Sequence, residues 1–247
     1  MKAPSVRAVV IACVMFIGSL AGMPAGAAQT AEDLEREVRE TLRDERDLRR
    51  IEVSVQGSEA TLTGIVESFW VKHRAIERAL DVDGIETVAS ELELPEPEDD
   101  NDLAQEVARV VQRYPHYTIW DFINGRVQDG NVQLAGWVTP DRDKSGDLFE
   151  RVAKIEGVQD VQSTIETLST SQSDRRLRRS IMRQLARNTH FERLARMPNP
   201  PFHIVIDNGI VLLVGYVQGQ IELIEMQRIV GQTQGVLRVE NRLQTLR

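Results

Sequence analysis

The chain of 247 residues has one cysteine, Cys13, and it lies inside the amino-terminal apolar run. That excludes a disulfide framework within the chain and a cysteine-based metal box. Aromatic residues make up only 5% of the chain, and basic residues are outnumbered 30 to 38, for a net charge of −8. A generic nucleic-acid binder, which needs a basic surplus, is disfavoured. Beyond the amino-terminal run, Ala8–Met23, no uncharged stretch is long enough to cross a bilayer, so a polytopic membrane protein is also excluded. The remaining composition, 41% hydrophobic and 28% charged, is that of a globular protein.

Signatures of catalysis are missing too. His73, His116, His190 and His203 show no short paired spacing, and no Gly-x-Ser-x-Gly elbow or phosphate-cradling Gly-Lys-Ser/Thr loop occurs. The acidic run Glu96–Asp102 reads as a solvated linker. The residues therefore point away from an enzyme, with no cofactor, no metal and no nucleic acid expected.

What is present starts with a targeting segment. Lys2 and Arg7 precede the apolar run, and Pro24-Ala25-Gly26-Ala27-Ala28 supplies small residues before Gln29. This is the order of a cleavable secretory signal spanning 1–28, with a retained anchor as the alternative. Cys13 sits within the apolar run rather than after it, which argues against acylation. Loss of Lys2 and Arg7 takes the charge from −8 to −10. The expected compartment is the periplasm, with peripheral attachment to a membrane as a variant.

The rest of the chain repeats. Gly64, Gly136 and Gly215 each follow alternating apolar residues, and Gly84, Gly157 and Gly235 follow them after 20, 21 and 20 residues. The copies are offset by 72 and 79 residues, too regular for chance. Each opens with apolar residues at helical spacing: Leu34, Val38 and Leu42; Leu103, Val107 and Val110; Leu177, Ile181 and Leu185. Asp33, Asp102 and Asp174 are the expected N-caps. Two alternating stretches follow, joined by Gln56-Gly57-Ser58, Asp129-Gly130 and Asn208-Gly209, the last two being strong hairpin turns. Second helices are expected near Ser68–Asp81, Pro140–Glu156 and Gly219–Gln232, ended by the later glycines as left-handed caps. A last strand closes each copy.

The predicted fold class is α+β, with three tandem αββαβ units, each a small three-stranded mixed sheet covered on one face by two helices. Unit 1 is placed at 29–95, an acidic Pro-rich linker at 96–101, unit 2 at 102–168, a Ser/Thr linker at 169–173 and unit 3 at 174–247.

Gly130-Asn131-Val132-Gln133-Leu134-Ala135-Gly136-Trp137-Val138 and Gly209-Ile210-Val211-Leu212-Leu213-Val214-Gly215-Tyr216-Val217, each followed about twenty residues later by Gly-Val-x-x-Val, resemble the BON domain. In the first copy Gly57 comes one residue early and Ala60 replaces the usual valine. This family includes osmotically inducible periplasmic OsmY-like proteins. The resemblance implies export to the cell envelope, no catalysis, transport-associated or stress-protective roles, and attachment to phospholipid or envelope proteins. A two-copy lipoprotein of the family is thought to meet anionic lipid through the first helix of its second copy.

The copies differ in charge. Residues 29–102 carry −13, 103–172 carry −3 and 173–247 carry +6. Arg176, Arg179, Arg183 and Arg187 fall on one helix face opposite Leu177, Ile181 and Leu185. They make either a solvated face or a row of guanidinium groups for lipid phosphates, or they dock on the acidic first copy. In the third hairpin Ile210, Leu212, Val214 and Tyr216, with Val205, point away from the helices, where the first copy has mostly polar residues. A cover for that face is expected: a sibling copy, a second chain in self-association, or a partner. Trp70 is a candidate for a headgroup boundary. The partners proposed by the sequence are thus anionic phospholipid or an envelope protein.

Overall fold

The computed structural model describes residues 30–194, 197 and 199–246. The export signal expected at 1–28 lies outside them. Unit 1 comprises α1 (Ala31–Arg43), β1 (Glu52–Gln56), β2 (Glu59–Ile65), α2 (Phe69–Leu80) and β3 (Thr87–Glu93). Unit 2 comprises α3 (Asp100–Gln112), β4 (Phe122–Gln128), β5 (Asn131–Val138), α4 (Lys144–Ala153) and β6 (Asp160–Thr167). Unit 3 comprises α5 (Gln172–Leu185), β7 (Phe202–Asp207), β8 (Ile210–Val217), α6 (Gln220–Gly231) and β9 (Arg238–Thr245). Each unit carries its own three-stranded sheet, an antiparallel hairpin extended by a parallel third strand. The registers coincide: Val53 faces Leu62, Gly125 faces Leu134 and Ile204 faces Leu213.

The helical spacing works as the sequence implies, except that α3 buries Val111 where Val110 was expected, Val110 being half-buried. Leu34, Val38 and Leu42 are buried in α1, Leu103, Val107 and Val111 in α3, and Leu177, Ile181 and Leu185 in α5. On the middle strands alternate residues turn inward, such as Ala60 and Leu62, Val132 and Leu134, Val211 and Leu213. The Asp129-Gly130 and Asn208-Gly209 turns have positive φ at both central residues, whereas in unit 1 Gly57 alone does. Asp100 and Asp174 each accept both turn amides of their own unit's hairpin, at 2.9–3.0 Å. Unit 1 has Ala31 at the equivalent place.

Four local expectations are corrected. The caps are Thr30, Asp99 and Ser171 rather than Asp33, Asp102 and Asp174, because Asp174 is used to hold the hairpin turn and the other two lie in the first helical turn. Asp100 and Asn101, assigned to the linker, open α3, and Gln172 and Ser173 open α5. The helix after Thr139-Pro140 starts only at Lys144, capped by Asp143, since Thr139 is held by a buried carboxylate described below. Gly84, Gly157 and Gly235 do have positive φ, but they lie in the turn beyond the last helical residues, which are capped by Asp81, Lys154 and Gln232.

Each unit has a separate core, and neighbours lend residues to it. Phe69 and Trp70 of α2 pack against the core of unit 2, with Phe149 of α4 6.4 Å and 6.3 Å away between ring centres and His73 4.9 Å from the same ring. Ile119 of unit 2 is buried in the core of unit 3. The linker is tied down as well, for Gln159 donates to the Pro95 carbonyl at 2.7 Å.

Gly136 has φ +145°, and a Cβ there would fall inside the van der Waals shell of the Phe122 carbonyl oxygen on the paired strand. Gly57, at φ +64°, has open space around it. Gly136→Ala is expected to cost several kcal/mol and Gly57→Ala about 1 kcal/mol. Urea unfolding midpoints of the two variants check this ordering, and equal shifts would contradict it.

Candidate functional site

α5 holds the arginine row by burying its other side. Arg176, Arg179 and Arg183 are exposed along the helix, and Arg187 is exposed just past its end. Three of them, Arg176, Arg179 and Arg183, line a shallow hollow of about 550 Å³ together with Ser173, Ser180 and Gln234. None of the four arginines forms an ion pair with a carboxylate among the described residues, although the chain is acidic overall. The row therefore does not dock on the acidic first unit within one chain.

Arg178, one residue from that face, behaves differently. It is buried, donates to the Ile206 carbonyl at 2.9 Å, and leaves its Nε without a partner. Desolvation lowers its pKa, against the pull of Asp174, Asp121, Asp141 and Asp207.

The outward face of the third sheet is less bare than its sequence suggests. Val205 is buried and Leu212 and Val214 are half-buried, while Ile210 and Tyr216 are exposed at 39% and 48%. Arg238, Glu240 and Arg242 of β9 run beside Ile210, Leu212 and Val214 in parallel register, with Glu240 paired to both arginines. Greater apolar exposure lies elsewhere: Ile221 at 70% and Ile224 at 57% on α6, and Leu237 at 79% before β9. These three were missed. The available signal was the composition of α6, which is apolar on more than one face (Ile221, Leu223, Ile224, Met226, Ile229, Val230). Since α5 and α6 cover the same side of one sheet, the arginines and the isoleucines belong to a single helix layer.

Counted back from Gly84 and Gly235, Ile221 and Ile224 hold the places of Trp70 and His73 in unit 1. There the side chains pack on Phe149 of the next unit, so Trp70 is a junction residue rather than a headgroup anchor. In unit 3 the isoleucines at these places are exposed among the described residues.

A second buried constellation fixes the junction of units 2 and 3. Lys144 and Asp121, 1% and 0% exposed, meet at 2.9 Å. Asp121 also accepts from the Thr118 and Thr139 amides at 2.8 Å and 2.7 Å, and Lys144 reaches Asp141 at 3.1 Å. With its lone pairs filled, this pair is a strut, not a poised acid or base. It holds the segment 118–121 against β7, where the Ile204 amide donates to the Ile119 carbonyl at 2.7 Å and His203 Nδ1–H to the Thr118 carbonyl at 3.4 Å. Among the described residues no group of three or more His, Cys, Asp or Glu could hold a metal ion, and no helix is long and apolar enough to cross a membrane.

The profile of the BON domain matches residues 30–96, 99–168 and 173–247. This chain belongs to the BON domain family. Its three BON domains account for nearly all the described residues, and the family is generally non-catalytic and associated with the cell envelope. No curated protein matches the sequence. Among solved structures, the C-terminal domain of CdsD, a structural protein of the type III secretion system of Chlamydia trachomatis, aligns over 87% of this BON protein and 98% of its own chain, with 14% identity and a TM-score of 0.24. The PrgH periplasmic domain aligns over 84% and 99%, with 12% identity and a TM-score of 0.21. At such scores the likeness carries no argument about what the BON protein does.

Burial of His203 predicts a pH dependence at the junction of the second and third BON domains. Burial lowers the pKa of His203 below 6.5, against hydrogen bonding to Thr118 and the charge of Asp121. Below 6.5 the unfolded chain takes up a proton that the folded imidazole refuses, so stability falls as pH drops through the window down to the folded value. His203→Gln is expected to flatten that slope. Urea midpoints between about pH 7.5 and pH 5 check it, and an unchanged slope in the variant would contradict it.

Proposed function

We propose that this BON protein works without catalysis at the cell envelope, reached through a cleavable signal at 1–28, and that it contacts anionic phospholipid through the helix layer of unit 3. The observation carrying this reading is the unpaired row Arg176, Arg179, Arg183 and Arg187, three of whose members share one hollow with two serine hydroxyls. Guanidinium groups donate to phosphate in a two-pronged fork, and each basic residue near an anionic surface is worth about 1 kcal/mol. Ile221 and Ile224 on the neighbouring helix add apolar side chains to the same layer, the combination used by helices that lie on a bilayer surface. A role in envelope or osmotic stress protection follows from such attachment.

A second reading, a protein-interaction or assembly module, is favoured by Ile210 and Tyr216, which remain exposed on the far face of the third sheet. One experiment separates the two. The signal-free protein is expected to sediment with vesicles containing phosphatidylglycerol and not with phosphatidylcholine alone, and added salt should weaken the effect. Reversal of Arg176, Arg179, Arg183 and Arg187 to Glu should abolish sedimentation, while Ile210→Ser with Tyr216→Ser should leave it intact. Sedimentation that survives the four reversals would make the arginine row mere surface, and absence of sedimentation by the unaltered protein would overturn the lipid reading and leave the second.

A further inference from the structure

A groove of about 980 Å³ lies between α3 and β4 of unit 2, with Val107 and Leu134 in its floor and residues of unit 3 as its far wall. The three copies provide internal controls for why it is open there. In unit 1 Val53 is buried opposite Leu62, and in unit 3 Ile204 is buried opposite Leu213; the same register position in unit 2 is Gly125. Gly125 has no positive φ that would demand glycine, and a Cβ there would meet Val107 at 3.5 Å and Leu134 at 3.7 Å, ordinary contacts. A branched side chain is therefore missing where the fold has room for one.

The strand edge beside it is open as well. In unit 1 Arg39 of α1 donates to the outward carbonyl of Val53 at 3.3 Å, and in unit 3 Arg178 of α5 donates to that of Ile206 at 2.9 Å. Counted from the buried helix positions, the matching residues of α3 are Ala108 and Ala104, both exposed. No side chain among the described residues reaches the corresponding carbonyls of Gly125 and Val127. Arg193 is the one charged side chain in the groove lining among the described residues, and no carboxylate among them pairs with it.

We propose that this groove receives an extended, acidic peptide segment of a partner protein. The segment adds to β4 as a fourth strand and places one aliphatic side chain over Val107 and Leu134, beside Gly125. The Ile123 amide already donates to the Tyr117 hydroxyl at 3.3 Å, and the backbone chemistry beyond it selects this occupant: the free amide and carbonyl groups of Gly125 and Val127 are satisfied by another extended backbone and not by an acyl chain. The missing side-chain volume selects the aliphatic residue, and Arg193 selects a carboxylate beside it. The groove lies apart from the arginine row, so it stands or falls separately from the lipid reading.

The probe is an acetylated, amidated hexapeptide of alternating glutamate and valine, titrated to about 1 mM against the nitrogen-15-labelled, signal-free protein. Saturable shifts are expected at the Gly125, Arg126 and Val127 amides, and none with a glutamate–serine hexapeptide. Gly125→Val, which fills the hole, and Ala108→Arg, which supplies the cap of unit 1, should each weaken binding by about tenfold or more. A well-dispersed amide spectrum shows that each variant is folded. The four arginine reversals should leave the peptide affinity unchanged. Absence of saturable shifts, unweakened affinity in both groove variants, or shifts confined to the α5 arginines would overturn the proposal. So would vesicle binding that Gly125→Val abolishes, which would give the groove to lipid.

Discussion

A three-stranded sheet with helices on one face has a free edge along the first strand of its hairpin, and the disposal of that edge governs how these three copies differ. Unpaired amide and carbonyl groups in such a row invite another strand. Unit 1 covers part of its edge from within, through Arg39. Unit 3 uses Arg178 and also borrows the Ile119 carbonyl of its neighbour. Unit 2 has small residues where the others have an arginine and a branched side chain, and its edge stays open. One fold thus gives a partly covered copy, a docked copy and a more open copy, and the differences come from a few side chains.

The same economy explains the junctions. Copies of this size bury little apolar surface of their own, and each gains by borrowing. Phe69 and Trp70 complete the surface of unit 2, and Ile119 enters the core of unit 3. The buried Lys144–Asp121 pair belongs to this arrangement, since it fixes the strut that β7 meets. The third copy differs. Its α6 keeps Ile221 and Ile224 exposed at the positions that unit 1 spends on its neighbour, next to a helix carrying unpaired arginines. Charge divides in the same direction, from −13 in the first segment to +6 in the last.

Much of this architecture was legible in the sequence because it is periodic. The glycine spacing, the four-residue stripes and the Asp-Gly and Asn-Gly turns each impose a local geometry, and all three units follow it. What was not legible depends on contacts between distant residues. Nothing near Lys144 announces a partner 23 residues earlier, so the helix start after Thr139-Pro140 was misplaced. Asp174 looks like a cap and instead serves a turn 34 residues away. Trp70 looks like an interfacial aromatic until α4 is seen beside it. The arginine face could be drawn on a helical wheel, and the exposed isoleucines of α6 could not, because only packing decides which apolar side of that helix is left over. Gly125 was unremarkable until register placed it level with Val53 and Ile204.

The divergence of the three strand edges is open to direct measurement by native-state hydrogen exchange, read amide by amide. Ile204 and Gly125 hold the same register position, one bonded to the Ile119 carbonyl at 2.7 Å and the other facing the groove. The amide of Gly125 should exchange faster than that of Ile204 by about two orders of magnitude or more. Equal protection at the two positions would mean that the edge of unit 2 is closed, and the account of one fold with three differently finished edges would be wrong.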